Sequence, residues 1–161
     1  KGPFFNEADL PADIPLRDKV LLAALGSPDK RQIDGLGGAH PLTSKVGIVR
    51  KSSVPGVALD FLFAQLQPDK ETVDTTPNCG NMLAGVAPFA IEQGLIEAQE
   101  GTTTVRIHNV NTGATIESTV CTPGRKVTYE GDARIDGVPG TSARLGKPSP
   151  STWIVNRRRP R

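Results

Sequence analysis

The chain is poor in the residues that most often announce a special chemistry: its 161 residues include two cysteines, two histidines, one methionine, one tryptophan and one tyrosine. His40 and His108 stand apart, outside any ligand-spaced cluster, which argues against a structural or catalytic metal. Cys79 and Cys121, behind a start that does not look like a signal peptide, read most simply as free thiols of a reducing compartment, with a disulfide between them as an alternative that nothing in the sequence supports. No apolar run approaches the roughly 20 residues needed to cross a bilayer. The expectation is a soluble, cytoplasmic protein with no membrane partner. An excess of one charge is lacking too, since the net charge is only +2. That near balance argues against a surface built to coat nucleic acid or an anionic membrane. The one basic run, Arg157-Arg158-Arg159-Pro160-Arg161, has no interleaved aromatics or companion stripe and reads as a solvated terminus.

What is present suits one ordinary domain with a real core, at 37% apolar residues. From Pro15 to Leu25, the residues Leu16, Val20, Leu21, Leu22 and Leu25 recur at helical spacing. Pro15 fits the first turn and Gly26 the C-terminal cap, so the segment predicts an amphipathic helix. The glycine-rich loop Gln32 to Gly38 has neither the Walker spacing nor a dinucleotide fingerprint between strand and helix, which argues against nucleotide binding. It leads through Leu42-Thr43-Ser44-Lys45 into Val46-Gly47-Ile48-Val49, a short apolar strand. Lys45 therefore stands at a loop-to-strand junction, where a side chain can enter a cleft. A plain exposed strand-end charge is the alternative.

Ala58 to Leu66 is almost wholly apolar, with Phe61 and Phe63 on one side and Leu62, Ala64 and Leu66 on the other. That is the pattern of a strand buried on both faces, with Asp60 as its odd polar member. Cys79 to Gln93 offers the small apolar face Leu83, Val86, Ala87, Ala90 and Ile91, closed by Gly94, and reads as a central helix that Pro88 distorts. Thr104–Val110, Ala114–Val120 and Lys126–Glu130 alternate as three antiparallel strands with turns at Asn111-Thr112-Gly113 and Pro123-Gly124. Together these elements predict an α+β domain whose sheet curls around the second helix.

The segment Pro77 to Val86 sets a thiol where a loop enters a helix. Open N–H groups and the helix dipole favour an anion there, which makes Cys79 a candidate base. A small residue filling a gap in the core is the bland alternative. Asn78 and the Gly80-Asn81 pair favour the first reading, because small and amide residues at a helix start leave backbone donors open to a carboxylate. Asp34 and Asp136, each in an Ile-Asp-Gly context, read as turn formers, and Cys121 as structural.

Both ends look cut. Lys1 runs straight into Gly2-Pro3-Phe4-Phe5, which reads as a strand with its approach, and regular patterning is expected to stop at about Ser142. This divides the chain into a domain over 1–142 that lacks its opening strand and an irregular Arg-rich tail over 143–161, which truncation or a shifted reading frame would explain.

Five motifs occur in order: Gln32-Ile33-Asp34-Gly35-Leu36-Gly37-Gly38, Leu42-Thr43-Ser44-Lys45, Asn78-Cys79-Gly80-Asn81, Pro88-Phe89-Ala90 and Ile135-Asp136-Gly137-Val138-Pro139-Gly140-Thr141. In these the chain resembles the cofactor-independent isomerases that include methylaconitate cis-trans isomerase, 2-methylitaconate isomerase and 4-oxalomesaconate tautomerase. Arg31 to Gly38 and Asn81 to Val86 look most like the oxalomesaconate branch. The resemblance implies a diaminopimelate epimerase-like fold of two α+β halves, each wrapping a sheet around a helix, of which this chain carries the first.

Carried over residue by residue, the resemblance places the family's cysteine on Cys79 and its lysine on Lys45 as an acid/base pair. Either group could take the proton. Ser44, Asn78, Gly80, Asn81 and Met82 then surround the substrate, with the amides of Gly80, Asn81 and Met82 holding a carboxylate or oxyanion. The implied reaction is a 1,3-proton shift on 4-oxalomesaconate or a similar small-molecule tricarboxylate, with no cofactor. Methylaconitate or 2-methylitaconate isomerisation is the nearest alternative. An inactive half serving as a binding or assembly module is a different class, and a half without its twin would expose apolar surface and favour a homo-oligomer.

Overall fold

The computed structural model describes residues 2–134, 136, 137 and 139–146, together with the backbone of a strand at 153–155. Within these, a mixed sheet forms the frame. Strands β1 (Phe4–Asn6), β2 (Lys45–Lys51), β3 (Leu59–Leu66), β5 (Gly101–Asn109), β6 (Ala114–Thr122), β7 (Arg144–Gly146) and β8 (Trp153–Val155) lie side by side in that order, and β4 (Val73–Asp74) pairs with the far end of β3. β1 is parallel to β2 and β3 is parallel to β5, while the remaining neighbours are antiparallel. Helix α1 (Ile14–Leu25) precedes β2, and two short helices, α2 (Gly80–Leu83) and α3 (Val86–Glu92), lie between β4 and β5.

The expected first helix forms with the expected ends. Asp13 caps it by accepting the Leu16 N–H at 2.9 Å, and Gly26 closes it at φ 80°, donating to the carbonyls of Ala23 and Leu22. Its amphipathic character is weaker than the spacing suggested. Leu21 and Leu25 are buried, but Leu16 and Val20 are 51% and 37% exposed. Only one edge of the helix meets the sheet, because Val46, Ile48, Ala64 and Leu66 present a narrow apolar strip for it to cover.

β3 is buried on both faces as its composition requires. Leu59, Phe61 and Phe63 join the larger core, while Ala64 and Leu66 join the strip under α1. The larger core lies between one face of the sheet and the α2–α3 segment. There Met82, Val86, Ala87 and Ala90 meet Val49, Phe61, Val105, Val120 and Leu145.

The helix expected over Cys79 to Gln93 is interrupted, as Pro88 requires, and the break falls at Ala84-Gly85. Pro88 occupies the first turn of α3, where its missing N–H costs nothing, and its ring conflicts with a helical carbonyl four residues earlier, at Ala84. Gly85 is also needed at the break. Its Cα and that of Gly47 flank the Phe4 ring, which stacks on Phe89 with centroids 5.5 Å apart.

Two expectations about the last strands change. Lys126–Glu130 is not a strand, although Thr128 N–H still donates to the Cys121 carbonyl at 3.1 Å. β7 pairs with β6 through Thr119↔Gly146 and Val120↔Leu145, and beside that stretch the intervening chain makes the single Thr128–Cys121 bond rather than a ladder. Regular structure accordingly continues past Ser142, and Leu145 is 3% exposed within the larger core. Ile135 and Val138 of the fifth motif, and residues 156–161 of the Arg-rich tail, lie outside the described residues.

Candidate active site

Lys45 is the first residue of β2 and Cys79 stands at the N-terminal boundary of α2. The Lys45 Nζ lies 3.4 Å from the Cys79 Sγ and 5.9 Å from the centre of the Phe63 ring, within range of its π face. Cys79 is 9% exposed and belongs to the larger core, whereas Lys45 is half-buried. Both readings of the cysteine thus hold geometrically, since the sulfur fills a place in the core and has an amine beside it.

The loop entering α2 is held by amides. Asn78 Oδ1 accepts the Cys79 N–H and an Asn109 Nδ2 hydrogen, each at 2.7 Å. The carbonyl of Cys79 accepts from the amides of Met82 at 3.2 Å and Leu83 at 3.1 Å. The Met82 amide is therefore engaged in the turn, and its side chain is buried. Gly80 and Asn81 occupy the first positions of the helix, where N–H groups have no intrahelical acceptor.

Ser44, the residue before Lys45, turns its hydroxyl toward the preceding glycine-rich loop. It is fully buried, with Oγ 3.0 Å from Gln32 Oε1 and 2.8 Å from the His40 carbonyl. Gln32, at φ 48°, is itself buried. It accepts the Ala39 N–H at 2.9 Å and donates Nε2 to Ser27 Oγ at 3.1 Å. The glycine-rich loop is thus folded around a glutamine side chain, and a methyl group on Gly37 would collide with it.

Asn109, Asn111 and Phe63 support this region and were not singled out by sequence reasoning. The signal available was an Asn-Val-Asn run at the end of a strand, where a turn explained Asn111 without need of a tertiary partner. Asp60, the polar member of β3, lies outside the site. Burial alone would raise its pKa, yet hydrogen bonds from Ser52 Oγ at 2.7 Å, Arg50 Nε at 2.9 Å and His108 Nδ1 at 3.3 Å outweigh it. Its carboxyl is held below the usual carboxylate range. A cavity of about 700 Å³ lined by Glu7, Leu10, Arg17, Arg50 and others, and one of about 160 Å³ reaching Asp60, are lined by neither Cys79 nor Lys45.

A cysteine and a lysine within hydrogen-bond reach on a mixed, mostly sheet α/β frame define a site suited to proton transfer. Residues 1–146 match the family described as PrpF protein, and the chain belongs to that family. It is 59% identical over 143 residues to the (4E)-oxalomesaconate Delta-isomerase of Novosphingobium sp., an alignment covering 89% of this chain and 40% of that protein. It is 55% identical over 145 residues to the 4-oxalomesaconate tautomerase of Pseudomonas putida, covering 90% of this chain and 40% of the relative. A crystal structure of methylitaconate-delta-isomerase superposes with a TM-score of 0.85 at 50% identity, covering 89% of this chain and 64% of that one. The chain thus spans 40% of the length of each of those two sequence relatives.

Among the described residues, no cluster of three or more His, Cys, Asp or Glu side chains could hold a metal ion. None of the helices among them is long and apolar enough to cross a membrane.

Proposed function

We propose that this chain carries the proton-transfer half of a cofactor-independent isomerase acting on an unsaturated tricarboxylate of the 4-oxalomesaconate type. The observation that carries the reading is the 3.4 Å separation of Lys45 Nζ and Cys79 Sγ, on a chain that matches oxalomesaconate isomerases at more than half of its aligned positions. In this reading one member of the pair removes a proton from the carbon between a double bond and a carbonyl or carboxylate. The electron pair delocalises as a dienolate, and a proton returns to the carbon two atoms away. Atoms and charge balance within the substrate, so the reaction itself consumes no cofactor. Either the sulfur or the amine takes the first proton.

We assign the amides of Gly80 and Asn81 to the substrate carboxylate or developing oxyanion. One such donor is worth about 3 kcal/mol of transition-state stabilisation. Asn78 contributes by shaping this loop, and Ser44 by anchoring the loop that delivers Lys45. The matching fold of the methylitaconate isomerase structure supports reading the domain as one half of a diaminopimelate epimerase-like arrangement, with residues 1–142 as its main body. The same match favours a methylated itaconate as the second substrate candidate. We further propose a cytoplasmic location and assembly with a second copy.

The test is spectroscopic. Purified protein is mixed with the keto form of oxalomesaconate and, separately, with 2-methylitaconate, while ultraviolet absorbance and solution mass are recorded. Acceleration of the keto-form change supports the tautomerase reading, and acceleration of the methylitaconate change alone redirects it to the second candidate. If the protein accelerates neither change, the activity is overturned for this chain, leaving a binding or assembly role.

A further inference from the structure

Both members of the Cys79–Lys45 pair rest on a single short run of chain. Asn109 is fully buried at the end of β5; its Nδ2 donates to Asn78 Oδ1, the same oxygen that accepts the Cys79 N–H. The other end of the Asn109 amide, Oδ1, accepts the Asn111 N–H at 3.0 Å. Asn111 in turn accepts the Phe63 N–H through Oδ1 at 2.8 Å and donates Nδ2 to the carbonyls of Phe63 at 2.9 Å and Thr75 at 2.7 Å. It takes the place of a neighbouring strand for Phe63, just beyond the point where β5 stops pairing with β3 at Phe61↔Asn109. The Phe63 ring lies under the Lys45 ammonium, and the Phe63 backbone pairs with Gly47 of the strand that Lys45 begins.

We propose that Asn109 and Asn111 are positioning residues that set the distance between the Cys79 sulfur and the Lys45 nitrogen. Asn109 fixes the loop carrying the thiol, Asn111 fixes the strand and ring beneath the amine, and one backbone-to-side-chain hydrogen bond joins the two. Only a primary amide supplies both donors and acceptor at each position; a carboxylate of the same shape cannot donate and an aliphatic side chain can do neither. The inference rests on the proposed role of Cys79 and Lys45 as the proton-transfer pair.

The test reads the separation directly, without substrate. o-Phthalaldehyde closes a fluorescent isoindole on an amine and a thiol that lie side by side, and peptide mapping identifies the two residues joined. Wild-type protein is expected to give an isoindole between Lys45 and Cys79 that Cys79→Ser abolishes. In Asn109→Ala, and in Asn111→Asp as the milder variant that keeps the acceptor for Phe63 N–H, the yield is expected to fall about tenfold or more, since reactions between held groups fall steeply when one shifts by an ångström. Each variant is read well below its own melting temperature, with circular dichroism confirming the fold.

A normal isoindole yield in a folded variant, even one with a lowered melting temperature, reduces these asparagines to a structural role and overturns the proposal. Should wild-type protein give no isoindole at these residues, the pair itself is absent, and the proposed function falls with it. An isoindole in the wild type that is lost in the variants, with no turnover of either tricarboxylate, upholds the positioning role and overturns only the activity.

Discussion

The ring of Phe4 fills a slot bounded by Gly85, where an added methyl group would sit 2.7 Å from the ring edge. Gly47 bounds it on the other side, and there a methyl would approach Phe4 to 2.5 Å and Phe61 to 3.2 Å. The first strand, the second strand and the helix break are thereby locked by one aromatic residue. Gly85→Ala and Gly47→Ala are each expected to destabilise by about 1–3 kcal/mol through overpacking, despite the usual advantage of alanine near a helix. Thermal melts of the single variants and of Phe4→Ala/Gly85→Ala check this. The double variant should show a smaller loss than the two single changes summed, because removing the ring removes the clash.

Substitution of either member of the candidate pair should strike turnover rather than folding. Cys79→Ser and Lys45→Ala are each expected to lower kcat by roughly 10²–10⁴-fold, the usual contribution of a positioned acid or base. Ordinary turnover in both variants would remove the pair from the mechanism.

Ser44 offers a contrast. Its hydroxyl is spent on Gln32 and His40 inside the loop. Ser44→Ala is therefore expected to cost about 1 kcal/mol of stability, with KM for the tricarboxylate unchanged. Gln32→Ala should cost more, about 1–3 kcal/mol, because it leaves the Ala39 N–H and the Ser27 and buried Ser44 hydroxyls without this partner. Urea titrations alongside steady-state kinetics separate the two effects, and a raised KM in Ser44→Ala would return that serine to the substrate.

Acid stability should depend on Asp60. Its folded pKa lies below the ordinary value, so the stabilisation is fully present above the unfolded carboxylate pKa, about 3.9, and is lost as pH falls from there through the folded value. Asp60→Asn is expected to flatten the fall in urea midpoint below about pH 4 and to lower the midpoint at pH 7, where the negative charge facing Arg50 is lost and one of the two acceptor oxygens shared by Arg50, Ser52 and His108 becomes a donor. Midpoints measured across that range in the two proteins check the sign. An unchanged acid limb in the variant would clear Asp60 of this role.

Much of the local structure was legible in the residues themselves. α1 was readable from Pro15 and Gly26 because end signals act over one turn, and β3 from its almost wholly apolar run because a strand covered on both faces has little polar surface. The Asn111-Thr112-Gly113 turn was readable for the same reason of short range. Lys126–Glu130 was misread because alternation marks a segment able to be a strand, while a strand needs a ladder of partners, and this segment finds one bond on β6 beside the residues that pair with β7. The Pro88 distortion was legible too, and the structure puts the break at Ala84-Gly85 because the ring conflicts with the carbonyl a turn earlier.

The residue types of the site, a thiol at a helix entrance and an amine at a strand start, were determined by sequence alone, as was the capacity of each element to form where it does. Only the tertiary structure decided that Lys45 and Cys79, 34 residues apart in the chain, meet at 3.4 Å, and that Asn78, Asn109 and Asn111 bond across three segments to hold them. The reason is range. Caps, turns and hydrophobic periods act between neighbours in the chain, whereas a hydrogen bond or a proton-sharing pair exists only where packing brings distant atoms within about 3 Å.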